Sequence, residues 1–276
     1  MHVHELGRAE GPTLVLLHGF TDSGLCWPDA VRRWRDDYRI VAPDARGHGE
    51  SPRFDPATTG SNRFEAMVAD VVTVLETIKR EGKVAGSPLL IGHSMGAGVA
   101  AAVLVARPDL VRAAVLEEPP WFTMPDGGNR PAEPETPQQS VQPFIDDLAA
   151  AVARGRAELP SWPQIELQSW AESKTQLDPS LTDREQIVRQ APWIDVAGAI
   201  TRPVLLVTGG RQEAVLVSAW SRRRLADLGN RHLRVEVVPG AGHTVRRDNP
   251  GAFHAIVDPW ISEQLAGADL TGGASS

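Results

Sequence analysis

Residues 88–106 of this chain read PLLIGHSMGAGVAAAVLVA. The apolar run before the first glycine predicts a buried strand, and the small and apolar residues after the serine predict a helix packed against a sheet. Between them lies a G-x-S-x-G turn, a setting that holds its serine in a strained conformation with the hydroxyl exposed. Side chains at Gly92 and Gly96 would collide with the neighbouring strand and helix. The stretch therefore predicts a strand–turn–helix unit that presents Ser94 as a nucleophile.

Short apolar runs recur on both sides of this stretch and alternate with helical patterns. Runs of this kind predict strands that are buried on both faces of a parallel sheet. Helices are predicted between them, for example over Phe64 to Lys79 and from Pro250 onward with Asn249 as N-cap. We therefore expect an α/β fold, an open and mostly parallel sheet with helices on both faces. The remaining predicted strands are Thr13–Leu17, Arg39–Ala42, Ala113–Leu116, Val204–Val207 and Val235–Val238.

The alternation breaks once, between Glu118 and Pro203. The beginning of this region is rich in proline, which favours an irregular and exposed segment, and helical patterns follow it. We interpret residues 119–200 as a helical insertion in a core formed by residues 1–118 and 201–267, and residues 268–276 as a frayed tail. The helices predicted in the insertion span Pro143 to Arg154 and Pro163 to Ser173, with a third that begins near Thr182.

The composition excludes several classes of protein. The chain has 276 residues, of which 42% are hydrophobic, enough for a packed core. Its 35 acidic and 28 basic residues give a net charge of −7, which argues against nucleic-acid binding. The single cysteine, Cys26, excludes an intrachain disulfide. We recognise neither a signal peptide nor an apolar run of about 20 residues, so we expect a cytoplasmic protein without membrane contact.

A serine nucleophile needs a base, and the chain offers eight histidines. His243 is the best placed, because it follows the last predicted strand in the glycine-rich loop Pro239–His243. Such a loop can bring the ring to the edge of the sheet at which Ser94 lies. His93 flanks the nucleophile, but its side chain should point away from that of Ser94.

Attack on a carbonyl creates an oxyanion, which backbone N–H groups can stabilise. We predict the N–H of Met95, at the start of the helix, as one donor, and the N–H of Phe20, in the loop after Leu17, as the other. The sequence contains no phosphate-binding G-x-x-x-x-G-K-[ST] motif and no His/Cys/Asp cluster with metal-ligand spacing. We therefore expect neither a cofactor nor a metal.

Together these pieces resemble the α/β-hydrolase superfamily. The matching motifs are His18-Gly19-Phe20, Asp44 to Ser51 (DARGHGES), Gly92 to Gly96 (GHSMG) and Gly240 to His243 (GAGH), in the family's order. The resemblance implies the α/β-hydrolase fold, a Ser–acid–His triad and a variable lid inserted after the sixth strand. Only about one strand fits before Leu14, so we expect the family's first edge strand to be missing or abbreviated.

The acid of the triad has two candidates. In most relatives it follows the seventh strand, where this chain offers only Glu213. In a minority, including some dehalogenases and fungal lactonases, it follows the sixth strand, where Glu117 and Glu118 lie. Strand alternation places these two on opposite faces, and the extended conformation required before Pro119 favours Glu118. We predict Glu118, with Glu213 as the alternative.

We expect the substrate to be a small hydrophobic carboxylic ester or lactone. Trp121, Phe122 and Met124 follow the predicted acid, where the insertion meets the site, and are candidates for lining an apolar cleft. A carbon–carbon bond hydrolase of a diketone-like ring-cleavage product, a cofactor-free haloperoxidase and a ligand-binding receptor that keeps its triad remain alternatives. A serine nucleophile disfavours epoxide hydrolase chemistry, which uses a carboxylate. The oligomeric state stays open.

Overall fold

Seven strands form a single sheet in the computed structural model, which describes residues 1–55, 62–82, 86–122, 136–181 and 192–266. The strands are β1 (Val3–Gly7), β2 (Thr13–Leu17), β3 (Arg39–Pro43), β4 (Leu89–His93), β5 (Ala113–Glu117), β6 (Val204–Gly209) and β7 (Leu233–Val238). Their spatial order is β1-β3-β2-β4-β5-β6-β7. β1 runs antiparallel to β3 and all other neighbouring pairs are parallel. The predicted α/β architecture is confirmed.

Helices cover both faces of this sheet. The helices before β6 in the core are α1 (Pro28–Trp34), α2 (Arg63–Glu81) and α3 (Met95–Ala106). The segment between β5 and β6 contains α4 (Pro137–Asp146), α5 (Leu148–Glu158), α6 (Glu166–Lys174) and α7 (Trp193–Ala199). The helices after β6 are α8 (Ala219–Leu228), α9 (Val245–Asp248) and α10 (Pro250–Ala266). The single predicted helix over Pro143 to Arg154 is divided between α4 and α5. The cause is Asp147, whose side chain accepts a hydrogen bond from the N–H of Ala150 and so caps a new helix. The helix start near Thr182 and the tail at 268–276 lie outside the described residues.

Side chains of the central strands alternate between two hydrophobic layers. In β4, Leu90 belongs to the layer that contains α2 and α3, whereas Leu89 and Ile91 belong to the layer that contains α1 and α10. All five residues of β4 are buried. The prediction of a doubly buried strand was wrong for β7, in which only Val238 is buried, because β7 is the edge of the sheet.

The helical insertion follows the fifth strand of this sheet. We expected it after the sixth, a number that counts an additional edge strand at the beginning of the family's sheet. Only β1 precedes Thr13 here, so each later strand is one lower in the count. Among the helices of the described ranges, we find none that is long and apolar enough to span a membrane.

A buried ionic network joins the insertion to the core. The Nζ atom of Lys174, at the end of α6, lies 2.6 Å from a carboxylate oxygen of Asp22 and 3.2 Å from the carbonyl oxygen of Thr21. Arg247, in α9, lies 3.1 Å from the other carboxylate oxygen of Asp22 and donates to Glu166 of α6 at 2.8 Å. Burial alone would raise the pKa of Asp22, but Arg247 and Lys174 hold it well below its usual range. Asp22 therefore connects the loop after β2 with both α6 and α9.

We expect Asp22→Asn to lower the free energy of unfolding by about 3–5 kcal/mol, because it leaves the buried Lys174 ammonium without a counter-charge and Arg247 with Glu166 as its remaining buried partner. Urea unfolding followed by circular dichroism measures this loss. Asp36→Asn is the matched control, since the Asp36 side chain is 90% exposed. Equal stability of the two variants would contradict a structural role for the network.

Candidate active site

Ser94 lies between the end of β4 and the start of α3, with a positive backbone φ of 51°. Its N–H donates to the carbonyl oxygen of Glu117 at 2.9 Å. A Cβ atom at Gly96 would lie 2.1 Å from the carbonyl oxygen of Leu17, and one at Gly92 would lie 2.5 Å from the carbonyl oxygen of Gly96. Only glycine fits at both positions, so the structure has the tight turn that the motif predicts.

A chain of hydrogen bonds runs from Ser94 through His243 to Glu118. The distance from Ser94 Oγ to His243 Nε2 is 3.0 Å, and the distance from His243 Nδ1 to Glu118 Oε2 is 3.4 Å. In this arrangement the serine hydroxyl donates to Nε2, and the Nδ1–H group donates to the carboxylate. His243 is partly exposed, whereas Glu118 is fully buried. The structure therefore brings together three of the predicted residues in the order nucleophile, base and acid.

The surroundings of Glu118 suit a buried carboxylate. One carboxylate oxygen accepts a hydrogen bond from the Leu216 N–H at 2.5 Å, and the other accepts one from the Thr208 hydroxyl. Both donors belong to β6 or to the loop that follows it, so they hold the carboxylate in front of His243. The contacts of Thr208 and Leu216 with Glu118 were not predicted, because nothing in the sequence around these two residues identifies them as partners of the carboxylate.

Glu117 and Glu213, the other two acids considered, lie in different surroundings. Glu117 is buried on the opposite side of the strand, where it accepts the N–H of Arg246 at 2.7 Å. Burial raises the pKa of Glu117, against the lowering effect of Arg246. Glu213 is exposed in the short 3-10 helix Gln212–Ala214. Both ring nitrogens of His243 have partners, Ser94 and Glu118, so Glu118 is the predicted acid that contacts the imidazole.

Backbone strain marks the same region. Among the described residues, the non-glycine residues with positive φ are Thr21, Ser94 and Glu118. Ser94 and Glu118 are members of the hydrogen-bonded chain, and Thr21 lies in the loop after β2 that contains Gly19. A side chain in this conformation costs free energy, and strained residues of this kind cluster at functional sites.

The loop after β2 passes directly beside the nucleophile. A Cβ atom at Gly19 would lie 2.7 Å from His93 Nδ1 and 3.5 Å from Ser94 Cβ. Phe20, the next residue, is partly exposed, and Met95 begins α3, where backbone N–H groups lack partners within the helix. The two predicted oxyanion donors thus lie on the two segments that flank Ser94.

His93 contacts the base rather than the nucleophile. Its Nε2–H donates to the carbonyl oxygen of His243 at 3.2 Å, and the two ring centroids are 4.9 Å apart. Burial, followed by the charge of His243, lowers the pKa of His93 well below its usual value. The neutral ring therefore supports the loop that carries His243, a role that was not predicted from the sequence.

The aromatic residues proposed for the cleft differ in exposure. Trp121 is fully buried and stacks on Trp193, with centroids 6.0 Å apart and an interplanar angle of 17°. Trp193 also forms a T-shaped contact with Trp220, with ring centroids 6.3 Å apart. Phe122 is half-buried, and Met124 lies outside the described residues. In this structure Trp121 packs the insertion onto the core, which leaves Phe122 as the more accessible of the two described candidates.

Residues 14–256 match the alpha/beta hydrolase family, and the chain belongs to that family. It is a hydrolase by this membership. Its sequence is 29% identical over 262 residues to a 2-(acetamidomethylene)succinate hydrolase of Mesorhizobium japonicum, covering 91% of this chain and 87% of that protein. The fold is similar to the crystal structure of E-2-(acetamidomethylene)succinate hydrolase (TM-score 0.68, 24% identity, 94% of each chain). It is also similar to the enol-lactonase from Burkholderia xenovorans LB400 (TM-score 0.67, 19% identity, 95% of this chain and 96% of that one).

Three buried histidines near the site should make the protein sensitive to acid. Burial lowers the pKa of His18 and His93, and burial together with the neighbouring His18 lowers the pKa of His48 to about 3. The unfolded chain binds protons on these rings below pH about 6.5, whereas the folded protein binds them only at a lower pH. Stability is therefore fully present at neutral pH and is lost as the pH falls, by up to about 1.4 kcal/mol per pH unit for each ring.

We expect His48→Gln to reduce this loss, because it removes one group that takes up a proton on unfolding. The measurement is the free energy of unfolding in urea between pH 7 and pH 4. The control is His232→Gln at a partly exposed histidine, which should keep the wild-type slope. An unchanged slope in His48→Gln would show that this ring does not contribute to the acid sensitivity.

Proposed function

We propose that this protein cleaves a carboxylic ester or lactone through an acyl-enzyme intermediate. The observation that carries the proposal is the hydrogen-bonded chain from Ser94 through His243 to the buried Glu118. A serine hydroxyl is a weak nucleophile, and an adjacent imidazole oriented by a carboxylate is the arrangement that activates it.

In the proposed reaction the Ser94 oxygen adds to the substrate carbonyl while His243 Nε2 takes the hydroxyl proton. Glu118 stabilises the imidazolium that forms. The oxyanion of the tetrahedral intermediate accepts hydrogen bonds from the N–H groups of Phe20 and Met95. When the intermediate collapses, His243 returns the proton to the leaving alcohol. A water molecule then repeats the addition on the acyl-enzyme, releasing the acid and restoring Ser94.

The proposed substrate is small and hydrophobic, and the charge distribution supports this choice. The cations behind the site loops, Lys174, Arg246 and Arg247, are already paired with buried carboxylates. The insertion contributes aromatic side chains next to the acid, among them the half-buried Phe122. We assign substrate selection to the insertion over residues 119–200, as a lid over the site.

Labelling with a fluorophosphonate probe tests the nucleophile. We expect the folded wild-type protein to be labelled at Ser94, located by peptide mass spectrometry, and Ser94→Ala to show no labelling and no turnover. A panel of short-chain, long-chain and cyclic esters tests the reaction class, and 2-(acetamidomethylene)succinate belongs in it because of the relative. Labelling without turnover of any ester or lactone would overturn the proposed activity and favour carbon–carbon bond cleavage or ligand binding.

The acid is tested by two matched substitutions. Glu118→Gln removes the charge that orients and stabilises His243, so we expect kcat to fall by about 10³–10⁴-fold with little change in KM, as in other triads. Glu213→Gln, at an exposed position, should keep wild-type kcat. The reverse pattern would make Glu213 the acid. Thermal unfolding of both variants separates a catalytic loss from a folding defect.

A further inference from the structure

A cluster of potential metal ligands lies outside the hydrogen-bonded chain of the active site. His2 and His4 alternate along the start of the chain, and Asp44 follows β3, to which β1 is paired. One ligand atom from each of these three residues lies within 4.8 Å of the others. Sequence spacing did not reveal this group, because pairing of β1 with β3 brings together residues 40 positions apart.

The spacing of these atoms suits a small divalent cation. His4 Nε2 lies 3.3 Å from Asp44 Oδ2, and His2 Nδ1 lies 3.8 Å from a carboxylate oxygen of Glu50. Ligands in a tetrahedral zinc site at 2.0–2.1 Å from the metal are about 3.3 Å from each other. The His4–Asp44 pair already has this separation. His2 Nδ1 and the Glu50 carboxylate are 3.8 Å apart, and Glu50 joins the other three ligands by rotation of its side chain, which is 65% exposed.

The backbone around the cluster is held in place by its own hydrogen bonds. The Asp44 N–H donates to the carbonyl oxygen of His2 at 3.0 Å, and the His2 N–H donates to Ser51 Oγ at 2.8 Å. Asp44 is almost fully buried, and its carboxylate also accepts the N–H groups of Gly24 and Glu50. Such second contacts fix the orientation of a ligating carboxylate.

We propose that His2, His4, Asp44 and Glu50 form a zinc site. Two imidazoles and two carboxylates are a ligand set that zinc accepts, and the two negative charges balance the charge of the ion. Metal binding requires neutral imidazoles. His4 would bind the ion through Nε2, so its neutral ring carries its single N–H proton on Nδ1. The site is independent of the proposed hydrolysis, since it uses none of Ser94, His243 or Glu118.

Zinc titration by isothermal calorimetry tests the site, on metal-free protein purified without a histidine tag. We expect saturable binding of one zinc ion per chain, weakened at least about tenfold in His2→Ala and in Glu50→Gln. The double variant His2→Ala/His4→Ala should lose the saturable binding of one zinc ion per chain. His232→Ala, which removes a histidine outside the cluster, should bind as the wild type does.

Cobalt provides a second readout. Bound in place of zinc, it should give the visible absorption of a four-coordinate ion in the wild type and not in the double variant. Circular dichroism shows whether each variant is folded. Glu50→Gln changes an exposed side chain, so it tests the site with little effect on folding. Wild-type affinity in the double variant, or no saturable zinc binding by the wild type, would overturn the proposal.

Discussion

The hydrogen bond from the Ser94 N–H to the Glu117 carbonyl sets the geometry on which the rest of the site depends. It continues the ladder between β4 and β5 by one residue beyond the strands. Glu118, the residue that follows β5, donates its own N–H to the carbonyl oxygen of Val207 in β6 at 3.0 Å. The same ladder that assembles the sheet therefore positions Ser94 and Glu118, the proposed nucleophile and acid, relative to each other. His243, the proposed base, lies on a separate loop and forms hydrogen bonds with both side chains.

The loop beside the nucleophile is rigid for a different reason. Its residue Thr21 has a positive φ, and its carbonyl oxygen accepts the buried ammonium group of Lys174. Charges removed from water are costly unless they are paired, so Lys174, Arg247 and Asp22 stabilise one another only in a single arrangement. The insertion thus contacts this loop through Lys174, at Thr21 and Asp22, one and two residues after Phe20. A fixed position of backbone donors is what oxyanion stabilisation needs.

Local patterns were sufficient to predict the strands, the turn at Ser94 and the loop of His243, because each depends on residues close in sequence. The choice between Glu118 and Glu213 depends on the Leu216 N–H and the Thr208 hydroxyl, which only the folded sheet brings to the carboxylate. The partners Asp22 and Lys174 are 152 positions apart, and no pattern relates them. The exposure of β7 likewise follows from its place at the edge of the sheet and not from its composition.

The positive φ of Glu118 has a consequence for how this protein can diverge. The chain turns at Glu118 and enters the insertion at Pro119 without an intervening linker. The proposed acid, Glu118, and the first residue of the insertion, Pro119, are therefore consecutive in the chain. A chimaera that exchanges the insertion must therefore leave the Glu118–Pro119 junction intact to keep this carboxylate in front of His243.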